Sequence, residues 1–109
     1  GEWRVVGPTE TAPQPYNPGG EMAVWVSTDQ GVSWEEEHQL TTASPRNHTY
    51  ARRPLGAQDA FQAFWADGHG REPSTSHLFF WNRKAGEVRQ MPYVMESEMV
   101  TPKVLNRVE

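Results

Sequence analysis

The chain has 109 residues, no cysteine, a formal net charge of −4 and a pI of about 5.5. This length fits one small domain. The missing cysteines exclude disulfides and thiolate metal sites. The acidic balance gives no electrostatic reason to expect nucleic acid as a partner, and no apolar run approaches the roughly 18 residues that cross a bilayer, so we expect no membrane partner.

Short aromatic or alternating runs between Gly- and Pro-rich turns predict eight strands and an all-β meander of antiparallel sheets. The predicted strands are 3–6, 22–27, 34–41, 48–54, 61–66, 77–81, 88–91 and 99–105. Pro102 restricts the last strand to an edge or a bulge. Two similar strand–turn–strand pairs start about 55 residues apart, a period at which propeller blades should be considered.

The turn after the second strand contains a motif with the spacing S-x-D-x-G-x-x-W, formed by Ser27, Asp29, Gly31 and Trp34. An Asp carboxylate at this place can accept hydrogen bonds from backbone N–H groups of the turn. Gly supplies a positive φ, and Trp packs over the hairpin. We therefore predict that these four residues are structural.

This motif resembles the Asp-box, or BNR repeat, of sialidase-type propellers, although Ser33 stands where the family usually has Thr. The runs 16–20, 47–54 and 64–71 further resemble BNR-repeat proteins that include ulvan lyases, so the similarity covers roughly 3–92. In that family the boxes lie away from the active site. The resemblance thus implies a polysaccharide-active propeller, with a secreted or periplasmic location.

The Asp-box also assigns the strands to blades of four antiparallel strands. Residues 1–41 supply three strands of one blade, 48–92 a full blade, and 93–109 a strand that completes a neighbouring blade. Because a propeller needs typically 4–8 blades, we expect closure only within a longer chain or by oligomerisation. For the chain alone we expect a homo-oligomer, a trimer or tetramer formed by strand exchange.

Pairing of the fourth and fifth predicted strands places His48 near Asp67 and Tyr50 near Trp65. One end of the sheet then gathers polar side chains, opposite the Asp-box turn. These are His48, Tyr50, Asp67, His69, Arg71 and His77.

The first chemistry that fits this end is β-elimination on a uronate polysaccharide, which requires no cofactor. His48 or His69 would be the base and Tyr50 the acid, and Arg52 or Arg53 would bind the carboxylate. Strand alternation favours Arg52, which shares a face with His48 and Tyr50. The resembling lyases use a His and Tyr pair, which implies His48 and Tyr50. Two further residues, Arg71 and Trp65, are predicted to bind substrate.

Two other readings stay open. A metal-dependent hydrolase would hold a divalent ion, Zn²⁺ or Ca²⁺, and activate a water. A carbohydrate-binding module without catalysis would use Trp65, Tyr50 and the arginines as a binding floor. His69 also fits a solvated turn residue, and Tyr50 also fits the core. The metal ligands would be His48, Asp67, His69 and His77.

Overall fold

The computed structural model describes residues 1–9, 20–69 and 72–108, and within them it is all-β, with no helix. All eight predicted strands are confirmed, with ends shifted by a few residues. The strands are β1 (Trp3–Pro8), β2 (Met22–Ser27), β3 (Glu35–Gln39), β4 (Asn47–Arg52), β5 (Ala63–Gly68), β6 (Leu78–Asn82), β7 (Glu87–Gln90) and β8 (Lys103–Arg107). The described part of the chain contains no helical segment that would be long and apolar enough to cross a membrane.

The strands form two antiparallel sheets in simple chain order, as the meander pattern predicts. The first has the order β1-β2-β3 and the second the order β4-β5-β6-β7-β8. In the described residues the sheets close into neither a barrel nor a propeller ring. Most of the run 16–20, part of the family resemblance, lies outside the described residues.

The last strand takes a place that differs from the predicted one. The sequence predicts that 93–109 complete a neighbouring blade, whereas β8 pairs with β7 as the fifth strand of its own sheet, with Glu87 opposite Arg107. Backbone N–H of Val108 also donates to the carbonyl of Gly86 at 2.6 Å. In the single chain, the edge of β7 is the row of unpaired backbone N–H and C=O groups nearest to residues 93–109, and β8 forms hydrogen bonds with these groups. Exchange between copies stays a prediction.

The core lies between the two sheets, which contribute to one cluster of buried side chains. Strand alternation explains which side chains of each strand are buried, because residues two apart point to the same face of the sheet. Trp65 and Phe79 are stacked with their ring centroids 6.2 Å apart. The first sheet and its following loop supply Met22, Val24 and Leu40, and the second supplies Trp65, Phe79, Trp81 and Val88.

A β-bulge in β4 decides which side chains reach which face. Thr49 pairs with Ala66 and Arg52 with Phe64, so Tyr50 and Ala51 together stand opposite Trp65 alone. Tyr50 adopts a positive φ of 56° and is 69% exposed, while Ala51 packs against the core. The bulge therefore breaks the strand alternation in the middle of β4.

Candidate functional site

His48 lies at the start of β4, directly opposite Asp67 as the sequence predicts, and it is only 1% exposed. Nε1 of Trp65 donates a hydrogen bond to Nδ1 of His48 at 2.9 Å. Since an indole N–H is a donor only, Nδ1 must be the acceptor and the ring proton sits on Nε2. That nitrogen is 2.9 Å from Oγ of Ser44, to which it donates.

The hydrogen bonds continue from Ser44 to Glu21, which directly precedes β2 in the first sheet. The Glu21 carboxylate accepts bonds from Oγ of Ser44 and Oγ1 of Thr41, both at 2.6 Å. Oγ1 of Thr41 in turn accepts the backbone N–H of Met22 at 3.0 Å. This network, called here the His48 junction, joins the two sheets through side chains.

Burial and hydrogen bonding set the charges in the junction. Burial lowers the pKa of His48, outweighing the opposing effect of the Asp67 and Glu21 carboxylates. Burial acts to raise the pKa of Glu21, but hydrogen bonds from Ser44 and Thr41 outweigh it, so that the pKa is lowered. His48 is thus a neutral ring with both nitrogens engaged, an arrangement that serves positioning better than proton abstraction from a substrate.

Asp67 is buried beside the junction and its carboxylate is also occupied. Its Oδ2 is 3.2 Å from Nε of Arg46, and its Oδ1 accepts the backbone N–H of His77 at 2.7 Å. Among residues 1–9, 20–69 and 72–108, no three His, Asp or Glu side chains are grouped so that they could hold a metal ion. The geometry therefore does not favour the metal set His48, Asp67, His69 and His77.

The opposite face of the second sheet carries an open groove, a cavity of about 630 Å³. Three of the residues predicted to be catalytic, Tyr50, Arg52 and His69, line it. His48 does not line it, because its ring is buried in the core, where Trp65 and Ser44 engage both nitrogens. Residues opposite each other in an antiparallel pair share a face. His48 pairs with Asp67, whereas Arg52 pairs with Phe64, and those partners are an odd number of residues apart. The prediction that Arg52 shares a face with His48 is wrong, and the bulge at Tyr50 is the reason.

The residues predicted to bind substrate have different outcomes. Trp65 lines the groove, but it is 2% exposed and belongs to the core, so its ring face is covered. Arg71 lies outside the described residues. The aromatic side chains that remain available for a ligand at the groove are Tyr50, which is exposed, and Phe64, which is half-buried.

The Asp-box turn forms the local bonds that its sequence predicts. Backbone N–H of Ser33 donates to Oδ1 of Asp29 at 2.9 Å, and Gly31 has a φ of 89°. Nε1 of Trp34 donates to the Gly31 carbonyl at 3.1 Å. Oγ of Ser27 donates to Asp29 and accepts the N–H of Gly31, each at 2.8 Å. Hydrogen bonds from Ser33, then from Ser27, lower the pKa of Asp29 to about 2.

Sequence reasoning missed three residues that hold the His48 junction and Asp67 in place: Glu21, Ser44 and Arg46. Each lies in a loop next to a strand and belongs to no motif. Their only sequence signal is a polar residue beside a strand end, which is common in any β protein.

Comparison with protein-family models, curated proteins and solved structures gives no match for this chain.

Proposed function

We propose that this chain is an Asp-box propeller module whose open groove binds an acidic polysaccharide. The observation that carries the proposal is that Tyr50, Arg52 and His69 line one cavity of about 630 Å³. An exposed aromatic ring offers an apolar face to a sugar. A guanidinium recognises a carboxylate with paired, charge-assisted hydrogen bonds, so the groove combines the groups that an acidic sugar needs.

The backbone at Tyr50 gives further support. A positive φ at a bulky aromatic residue is a genuine outlier, and such strain costs about 1–3 kcal/mol. Strained residues cluster at sites of function. Tyr50 and Ala51 both stand opposite Trp65, and regular strand alternation would place Tyr50 on the core side with His48. The bulge instead turns Tyr50 out of the core.

The propeller part of the proposal rests on two supports. The Asp-box lies in the turn between β2 and β3, and the two antiparallel meanders share a core as neighbouring blades do. The ring would close within a longer chain, or in a trimer or tetramer of copies, because two sheets leave exposed edges.

The second candidate is β-elimination in the same groove, favoured by the joint placement of Tyr50, Arg52 and His69. Arg52 would bind the uronate carboxylate, and the His69 imidazole would take the proton from C5. The electron pair left on C5 forms the C4–C5 double bond as the C4–O bond breaks. Tyr50 would give its proton to the departing oxygen. The reaction needs no cofactor, and His69 replaces His48 as the base.

Binding is tested by calorimetric titration with an oligouronate and with a neutral oligosaccharide of equal length. We expect the oligouronate to bind more tightly, and Arg52→Gln to weaken it about tenfold, since a hydrogen bond to a charged group contributes about 1.5–3 kcal/mol. Arg107→Gln is the matched control, because Arg107 is exposed and does not line the groove. Equal affinity for both sugars, or equal effects of the two variants, would contradict the proposal.

Elimination is tested by the ultraviolet absorbance of the unsaturated uronate product. Tyr50→Phe should abolish product formation while affinity for the oligouronate is kept, because only the transferable proton is removed. Full lyase activity in this variant would exclude Tyr50 as the acid. Binding without any product in the unaltered protein would leave the first candidate and eliminate the second.

A further inference from the structure

A second cavity, of about 360 Å³, lies where β1 faces the ends of β4 and β6. Four arginines line it: Arg4, Arg52, Arg53 and Arg83. The only carboxylate in its wall belongs to Glu2, which is bound to Arg4 at 3.2 Å. Arg4 is bound more closely by Glu37, outside the wall, at 2.8 Å. We call this cavity the arginine cleft. A concentration of positive charge in a chain of net charge −4 is unexpected unless it meets an anion.

The ion pairs of the molecule set three of these arginines apart, because Arg4 is already paired with Glu2 and Glu37. Arg46, Arg89 and Arg107 each bind a carboxylate, outside the cleft. Across 1–9, 20–69 and 72–108, the arginines that form no such pair are Arg52, Arg53 and Arg83. All three of them line the arginine cleft.

Trp81 adds a second, independent observation. Its side chain is in the core cluster and lines the same cleft. Its Nε1–H is the one buried side-chain polar atom without a hydrogen-bond partner in the described part of the chain. An indole nitrogen only donates, and guanidinium groups also only donate. Apart from Glu2 and the Gln62 amide oxygen, the side chains of the wall therefore offer donors and lack acceptors.

We propose that the arginine cleft binds a tetrahedral oxyanion, the phosphate or sulfate group of a ligand. Such a group carries several acceptor oxygens around one centre, which fits the three unpaired guanidinium groups that the second sheet contributes. The volume exceeds that of one small ion, so the group would be carried by a larger molecule. The site is separate from the groove: Arg52 lines both, whereas Arg4, Arg53 and Arg83 line the cleft and not the groove.

The test is titration of the full chain with inorganic phosphate and with inorganic sulfate, at an ionic strength held constant with sodium chloride. We expect saturable binding by calorimetry and a rise in the thermal unfolding midpoint that chloride does not reproduce. Tighter binding of one anion identifies the group that the natural ligand carries. An equal response to chloride would overturn the proposal, because it would show that any salt screens the charges of the cleft and that no oxyanion binds specifically.

The matched variants are the double substitution Arg53→Gln with Arg83→Gln, and Arg107→Gln. All three side chains are exposed, so the fold should persist. We expect the double variant to weaken phosphate or sulfate binding at least tenfold and Arg107→Gln to leave it unchanged. Unchanged binding in the double variant, or an equal loss in Arg107→Gln, would contradict the site. Tyr50→Phe should bind the anion normally, which separates this result from that of the groove.

Discussion

Two polar clusters stand at opposite ends of β2, and they are held together in different ways. In the Asp-box turn, Asp29 bonds to Ser27 and Ser33, only two and four residues away. In the His48 junction, the bond from His48 to Ser44 is local, but those from His48 to Trp65 and from Ser44 to Glu21 join residues 17 and 23 positions apart. Most of the turn is exposed, although Ser27 is buried, whereas His48, Trp65 and Thr41 of the junction are all buried.

The difference teaches what each cluster contributes. When a bond in the exposed turn is lost, water can replace it, so the net loss is small. When a bond in the junction is lost, a buried donor or acceptor stays unsatisfied, and the two sheets lose a side-chain link. Substitutions in the junction should therefore cost more stability than substitutions in the turn.

The largest effect is expected for His48→Ala. It leaves Nε1 of Trp65 without its acceptor and opens a cavity in the core, which should lower the free energy of unfolding by about 3 kcal/mol. Urea unfolding followed by tryptophan fluorescence measures this loss. The control is His38→Ala, at a half-exposed position of β3, for which we expect a change within about 0.5 kcal/mol.

A double-mutant cycle with Trp65→Phe sharpens that result. Because Trp65→Phe removes the same hydrogen bond from the other side, the combined loss should be smaller than the sum of the two single losses. Additive losses, or a loss for His48→Ala no larger than that for His38→Ala, would show that the junction does not stabilise the fold.

A smaller effect is expected for Gly31→Ala in the Asp-box turn. Gly31 has a φ of 89°, and an added Cβ would lie 3.0 Å from Cζ3 of Trp3. The strained backbone alone should cost roughly 1–2 kcal/mol. Gly56→Ala is the matched control, with a φ of 66° and nothing within 4 Å of the added Cβ. If both variants lose equal stability, as thermal or urea unfolding would reveal, contact with Trp3 does not matter.

The smallest expected effects are changes in the free energy of unfolding with pH, and each cluster loses stability in its own pH range. The pKa of His48 is lowered by burial, so below about pH 6.5 the unfolded chain binds a proton that the folded chain refuses. The free energy of unfolding should therefore fall as the pH drops from 7 to 5. The pKa of Asp29 is lowered to about 2, so its contribution is complete above about pH 4 and is lost as the pH falls towards 2.

Urea midpoints measured between pH 7 and pH 2 separate the two windows. His48→Gln should flatten the curve between pH 7 and pH 5 and leave the fall below pH 4. Asp29→Asn should leave the slope between pH 7 and pH 5 and make the fall below pH 4 shallower, while Glu21, whose pKa is also lowered, keeps its share of that fall. A slope between pH 7 and pH 5 that persists in His48→Gln would assign it to another group.

Much of the fold was predictable because its signals are local. Alternating apolar residues mark the strands, and the buried face of β2 follows from the run 22–27 itself. The polar end was predictable in part, since the pairing of His48 with Asp67 follows from hairpin geometry. The site was not, because a bulge of one extra residue at Tyr50 exchanged the faces and separated His48 from Arg52.

The sequence by itself determined the eight strands, their antiparallel order and the bonding of the Asp-box turn, because each depends on residues close in the chain. Only the tertiary structure decided that His48 is a buried link between the sheets, that Tyr50 and Arg52 lie on the face away from His48, and that three arginines without carboxylate partners line one cleft. These features depend on contacts between residues far apart in the chain. A single sequence does not encode such distances in any local pattern.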